Sequence, residues 1–377
     1  MTAAGQRPPA PTDSGPFGLP TAWWPVAFAE EVTQRPGRFV LGSRALALYR
    51  DRAGCVRAVD DVCPHRRMRL SLGRVTEDGY LQCAYHGWSF DGATGRCTAI
   101  PNLRGDEEIK GNLKVAAFAT AENVAGALKR PGLAGSVSPP TGEETSGLGT
   151  TLFDARLDDG MVMVWSGARP VADAGPGTSA CVEPARALRG KVDVRTPYWL
   201  MAQALLWNPG KALSLRGLLG AGDEVVGARA RVAQDTITVT RERLTLDLPR
   251  PHTFAPINRA TTAVEVIMNV ISGVTSMQVC TGDGRRVARV SVGLTPIGLY
   301  KTTVRWRAEI DQGLPAVLRR LACSLATPGR TAETAARMAD EAAERADAAL
   351  VLFQQSQRAL CGSATGSQCK EHADVVG

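Results

Sequence analysis

Two cysteines and two histidines stand in two short clusters, Cys63-Pro-His65 and Cys83-Ala-Tyr-His86, separated by seventeen residues. Thiolate and imidazole are the side chains that best hold a borderline-soft transition metal, and the C-x-H and C-x2-H spacings put one of each on a single tight loop. Two chemistries are open. Four donors on one zinc ion make a structural site. Two thiolates on one iron and two imidazoles on a second make a [2Fe-2S] centre, whose neutral His ligands raise its potential into the range of roughly −150 to +300 mV. Zinc sites of Cys2His2 composition mostly keep both Cys on one knuckle and both His on another, whereas each loop here offers one of each, which favours the two-iron centre. Pro64 restricts the first loop, and Gly87 permits a tight turn directly after the fourth donor.

The elements around these loops are short and strand-like. Trp23-Trp24-Pro-Val26 opens a series that includes Phe39-Val-Leu41, Ala45-Leu-Ala-Leu-Tyr49 and Val56-Arg-Ala-Val59, with Gly or Asp between them. Short strands at close spacing predict a small antiparallel β domain with both clusters on loops after strands. The reading divides the chain into a disordered tail over 1–20, a β domain over 21–168 with a mobile insertion at about 126–149, and a second domain over 169–377. Residues 170–184 form its linker. In the second half Thr236-Ile-Thr-Val-Thr240, Ala263-Val-Glu-Val-Ile267 and Thr302-Thr-Val-Arg-Trp306 alternate as half-buried strands do. Thr331 to Leu360 is an Ala-rich run without Gly or Pro, which predicts a long helix. The fold class is α+β: an all-β N-terminal domain, then an antiparallel sheet closed by a long C-terminal helix.

Composition narrows the function classes. The 377 residues carry a net charge of +7, but the basic residues are scattered, without the Lys/Arg runs or interleaved aromatics of a nucleic-acid binder. Of nine Cys, only Cys63 and Cys83 have His partners at metal-ligand spacing; Cys55, Cys97, Cys181, Cys280, Cys323, Cys361 and Cys369 are isolated thiols. The first twenty residues lack the apolar core of a signal peptide, and no segment reaches the ~20 apolar residues of a membrane span. A cytoplasmic protein is expected, without nucleic-acid or membrane partners.

Cys63-Pro-His-Arg66, Leu70-Ser-Leu-Gly73, Cys83-Ala-Tyr-His-Gly-Trp88, Phe90-Asp91, Gly95-Arg-Cys97 and Ile100-Pro101 resemble the Rieske domain of Rieske non-haem iron oxygenases. Trp23-Trp24-Pro-Val26 and Met163-Val-Trp165 also look like that family's oxygenase components of the vanillate demethylase kind. Ala84 stands where most members carry Pro. The resemblance implies a [2Fe-2S] cluster on Cys63, His65, Cys83 and His86, and a helix-grip (START-like) second domain. A ferredoxin or flavin/ferredoxin reductase would donate the electrons, docking against Arg66, Arg67 and Arg69 unless one of these pairs with a carboxylate instead.

In the family the second domain holds a mononuclear Fe(II) through two His and a carboxylate, on a sequence resembling Asp-Asn-Leu-Leu-Asp-x-x-His-x4-His. The segment from Gln203 to Gly220 overlays it without a gap. Gln203 and Trp207 then stand at the acid positions, Gly210 and Leu215 at the two His positions, and Asp347 near the third, carboxylate ligand. Neither Gly nor Leu has a donor atom, and only His252 and His372 remain elsewhere. Fe(II) is therefore expected to be absent from this chain. The favoured reading is an electron-transfer subunit, paired in a trimer or hexamer with an iron-containing homologue that hydroxylates or demethylates a small organic molecule. Two alternatives stand beside it: an oxygenase with non-standard iron ligation, and a redox or ligand-binding module without chemistry.

Overall fold

The computed structural model describes residues 17–103, 109, 113–124, 127–129, 160–167, 188–213, 215, 219, 228–243, 262–281, 284, 286–310, 338 and 347–362. The chain forms two compact units, Gly15–Pro184 and, apart from the first residues, Ala185–Gly377.

The first unit contains β1 (Trp23–Phe28), β2 (Gly37–Leu41), β3 (Arg44–Arg50), β4 (Val56–Asp60), β5 (Arg74–Val75), β6 (Leu81–Gln82), β7 (Ser89–Phe90), β8 (Cys97–Ala99), β9 (Ala117–Phe118), β10 (Thr120–Val124), β11 (Ala127–Lys129) and β12 (Met161–Trp165). They pair as three four-stranded sheets, β1-β12-β10-β11, β2-β3-β4-β9 and β5-β6-β7-β8. Trp23 faces Trp165 and Pro25 faces Met163 across β1 and β12, so two sequence motifs some 140 residues apart are neighbouring strands. Phe17 and Leu19 are buried, Phe17 with its ring 4.7 Å from that of Phe118. The expected tail therefore ends earlier than residue 20, because an aromatic side chain gains more from this apolar contact than it loses in freedom. Most of the expected insertion at 126–149 lies outside the described residues, but Ala127–Lys129 is a strand paired with β10.

The second unit is built on a seven-stranded antiparallel sheet. Its strands are β13 (Leu188–Val194), β14 (Ala228–Ala233), β15 (Thr236–Arg243), β16 (Thr262–Asn269), β17 (Thr275–Thr281), β18 (Arg286–Gly298) and β19 (Lys301–Ile310), in the order β13-β19-β18-β17-β16-β15-β14. Strands β14 to β19 are a meander, and β13 returns to the far edge beside β19. Between the two edge strands the chain forms α1 (Tyr198–Trp207) and α2 (Pro209–Ala212); α3 (Ala348–Gly362) follows the sheet. Nearly every side chain of α1 is buried, as suits a helix apolar all round and enclosed by its neighbours. Helix α1 meets β18 and α3, and α3 meets β14. This is the expected antiparallel sheet gripped by a C-terminal helix. The run from Thr331 is helical from Ala348 onward; apart from Met338 and Asp347, the preceding residues lie outside the described ones. No helix of the described residues is long and apolar enough to cross a membrane.

Candidate metal centre

Cys63 and Cys83 sit on two turns of the same construction. The Cys63 N–H donates to the Met68 carbonyl (2.8 Å) while its own carbonyl accepts from Arg67 N–H (2.9 Å). The Cys83 N–H donates to Trp88 (2.8 Å) while its carbonyl accepts from Gly87 (3.1 Å). In both, the residue four places after Cys is left-handed: Arg67 has φ 56° and Gly87 φ 70°. A Cβ on Gly87 would lie 2.8 Å from Pro101 Cγ, so glycine answers both the backbone angle and the space. Arg67 takes the same conformation on the first turn, where it is exposed.

The four side chains divide by environment. Both Cys are buried and belong to an apolar cluster with Tyr49, Leu70, Leu81, Phe90 and Cys97, whereas His65 and His86 are exposed. The two imidazole rings are 4.6 Å apart; His65 stacks on Trp88 at 4.5 Å and His86 leans on Tyr85 at 3.8 Å. Burial pushes the Cys63 thiol up to about 11, with Cys83 adding to the rise. A cation bound here would displace that proton. Desolvation, followed by the charges of His86 and Arg66, holds the His65 imidazole below its ordinary value, in the neutral form a metal ligand needs.

Two buried thiols and two adjoining exposed imidazoles fit a [2Fe-2S] centre, which one pair would hold at each iron. Among the described residues no three His, Cys, Asp or Glu side chains converge as a group that could hold one metal ion, and a two-iron centre asks only for two donors at each iron.

Asp61, two residues before Cys63, ties the chain entering the first turn to Ser71 just beyond it. Fully buried, it accepts from Ser71 N–H (2.6 Å), Ser71 Oγ (2.9 Å) and Arg38 (2.9 Å). Asp61→Ala would leave the Ser71 donors without that acceptor and is expected to cost about 2–4 kcal/mol in chemical denaturation. Arg38→Ala, removing a partner that is 44% exposed, is expected to cost under about 1 kcal/mol. Equal losses would show that Asp61 does not brace the turn. Arg66, Arg67 and Arg69 are exposed beside the His pair and form no ion pair among the described residues.

In the sheet unit the residues at the expected iron positions are buried: Gln203, Trp207 and Gly210 on α1 and α2, and Leu215 just beyond. The Asp347 side chain is largely covered as well. Its carboxylate takes a two-pronged grip from Arg241, Nη1 to Oδ2 at 3.1 Å and Nη2 to Oδ1 at 2.9 Å, with the side chains 2% and 7% exposed. Arg241 Nε also donates to the Leu206 carbonyl (3.1 Å), and its guanidinium carbon lies 5.4 Å from the Trp207 ring centroid. These residues do not fit a mononuclear metal: two positions lack donors, and the carboxylate is engaged by a cation of the chain itself. Arg241 escaped the sequence reading although a signal was present. Extending the alternation of β15 by one step places it after Ile237 and Val239 on the buried face. His252 and His372 lie outside the described residues.

Comparison with known proteins bears on both units. Residues 22–118 match the Rieske [2Fe-2S] domain family. The chain is 49% identical over 81 residues to pheophorbide a oxygenase of Oryza sativa subsp. japonica, covering 21% of this chain and 15% of that protein. It is 42% identical over 102 residues to the oxygenase component of dicamba O-demethylase from Stenotrophomonas maltophilia, covering 27% of this chain and 29% of that one. The matched stretches therefore span less than a third of these relatives. Dicamba monooxygenase bound to 3,6-dichlorosalicylic acid superposes with a TM-score of 0.63 over 91% of this chain and 97% of its own, at 20% identity. That likeness is one of fold.

Proposed function

We infer, for a chain that carries a Rieske [2Fe-2S] domain and has the fold of Rieske non-haem iron oxygenase components, that it is an electron-transfer subunit. It would take single electrons from a ferredoxin or flavin/ferredoxin reductase. It would deliver them to the mononuclear Fe(II) of a homologous partner, within a trimer or hexamer that hydroxylates or demethylates a small organic molecule. The observation that carries this reading is the contrast between the two units. Cys63 and Cys83 share one buried cluster and the His65 and His86 rings adjoin, whereas Gly210 and Leu215 offer no donors and Asp347 is held by Arg241.

When bound, a Rieske cluster supplies a one-electron couple at a potential raised by its neutral ligands. Cys63 and Cys83 would hold it on the buried side, their thiolates shielded from solvent by the apolar cluster around them. His65 and His86 would hold it on the open side, with Trp88 fixing the plane of His65 and Tyr85 covering His86. Exposed imidazole edges give the shortest covalent route to another protein. Arg66, Arg67 and Arg69 surround that face with positive charge suited to an acidic donor, and such charge speeds encounter more than it tightens binding.

Co-purification with an iron-bearing homologue tests the reading. His86→Ala in this chain alone is expected to lower product formation by the complex at least about tenfold, since ligand and exit route are lost together. Unchanged turnover would remove this chain from the electron path. A third iron on the purified chain, with turnover in the absence of any partner, would favour the stand-alone oxygenase instead.

One observation favours a ligand-binding reading of the sheet unit beside this one. Trp199 Nε1 and Gln203 Oε1, a donor and an acceptor one helical turn apart on α1, are buried without a hydrogen-bond partner among the described residues. A small aromatic or heterocyclic compound that raises the Tm of the isolated chain, with the rise abolished by Gln203→Leu, would support it.

A further inference from the structure

The sheet unit places one charged cluster in an apolar interior. Strand β15 presents Ile237, Val239 and Arg241 inward in alternation, so a guanidinium occupies the place of the next aliphatic side chain. It is received by the Asp347 carboxylate, the Leu206 carbonyl and the face of Trp207, among others. Leu206 lies in the last turn of α1, where carbonyls lack helical partners and the helix dipole favours a cation. Asp347 stands just before α3, and its Oδ1 also accepts from the N–H groups of Ala349 (3.1 Å) and Leu350 (3.3 Å), where the opposite end of a dipole favours an anion. Carboxylate, helix-end carbonyl and aromatic face together demand a positive charge at this point.

We propose that Arg241 is the resident cation of this site: its guanidinium stands in for a bound metal ion and excludes one. Both carboxylate oxygens are committed, Oδ2 to Nη1 and Oδ1 to Nη2 and two backbone donors. A divalent ion reaching Asp347 would displace that fork and then face a guanidinium that cannot lose its proton. The site is thus rebuilt around a charge of its own rather than merely deprived of ligands. This rests on the reading that the sheet unit has no metal of its own, but not on delivery of electrons to a partner.

Cobalt(II) uptake by the isolated cluster-loaded chain tests it, measured as cobalt retained after equilibrium dialysis with the parent chain as blank. Restoring donors by Gly210→His and Leu215→His while Arg241 is kept is expected to retain no more cobalt than the parent. Adding Arg241→Met to the same pair is expected to raise retention at least about tenfold, toward one ion per chain, whereas adding Arg241→Lys leaves it at the parent's value. Equal retention with Arg and with Met at position 241 would overturn the proposal. Should the His variants fail to fold, the Tm values of Arg241→Met, Asp347→Asn and the double variant decide. The double variant must lose clearly less than the sum of the two single losses, and additive losses would overturn the proposal. No partner protein enters either measurement, so failure here is separable from failure of the electron-transfer reading.

Discussion

Cys83→Ala is expected to abolish cluster binding outright, with iron content, visible absorption and the EPR signal of the reduced chain all lost. The reason is coordination rather than folding. The second turn is held by backbone bonds, Cys83 N–H to Trp88 and Gly87 N–H to the Cys83 carbonyl, and alanine makes both. What would disappear is one of the two thiolates proposed to hold one iron, leaving Cys63, its thiol raised by burial, as the single buried thiol of the pair. Because a cluster bound only by the folded chain stabilises that fold by mass action, Tm should fall as well. Cys97 supplies the control. It lies in the same apolar cluster and is also a free thiol, yet its Sγ faces the Ala99 carbonyl at 3.7 Å. Cys97→Ala should keep the full iron content and cost about 1 kcal/mol or less of packing. Loss of iron from Cys97→Ala, or its retention by Cys83→Ala, would reassign the ligands.

The difference between those two cysteines was readable from sequence because it is local. Six consecutive residues contain each turn, Cys63 to Met68 and Cys83 to Trp88, and a His two or three places from a Cys marks a loop whatever the rest of the chain does. The same holds for the alternation that marks β15, β16 and β19 as strands, although the polar faces expected to be wet are largely covered in the fold: Thr236 and Thr238 of β15 and Thr303, Arg305 and Arg307 of β19 are buried. Pairings were not readable. Nothing in Thr120 to Val124 announces that it joins β12 beside Trp23. The sheet-unit site shows the limit most clearly. Asp347 taken alone is an acid at the start of a helix, for which solvent is the ordinary environment. Its burial follows from Arg241, 106 residues earlier in the chain, and an inward-facing Arg is recognisable only once the strand is known to continue past Thr240. Trp207 looked like the loss of an acid. In the fold it is also the gain of an aromatic face for that same guanidinium.

The second large effect is expected at this buried pair. Asp347→Ala should cost about 3–5 kcal/mol, since truncating one member leaves a charge in the interior without its partner, with a further ~1 kcal/mol for the lost cap of α3. Lys301→Ala sets the scale. Its pairing with Asp193 joins two side chains about half exposed, 49% and 46%, and is worth less than about 1 kcal/mol. The two members of the buried pair are also unequal, which gives an ordering that simple loss of packing would not. In Arg241→Met the stranded group is a carboxylate, which can take up a proton and become neutral at a bounded cost. In Asp347→Ala it is a guanidinium, which stays charged at every accessible pH and must find water or distort β15. Chemical denaturation of the cluster-loaded variants should therefore rank Asp347→Ala below Arg241→Met. The opposite ranking would mean that solvent reaches Arg241 in the variant and that the interior here is less closed than its 2% exposure indicates.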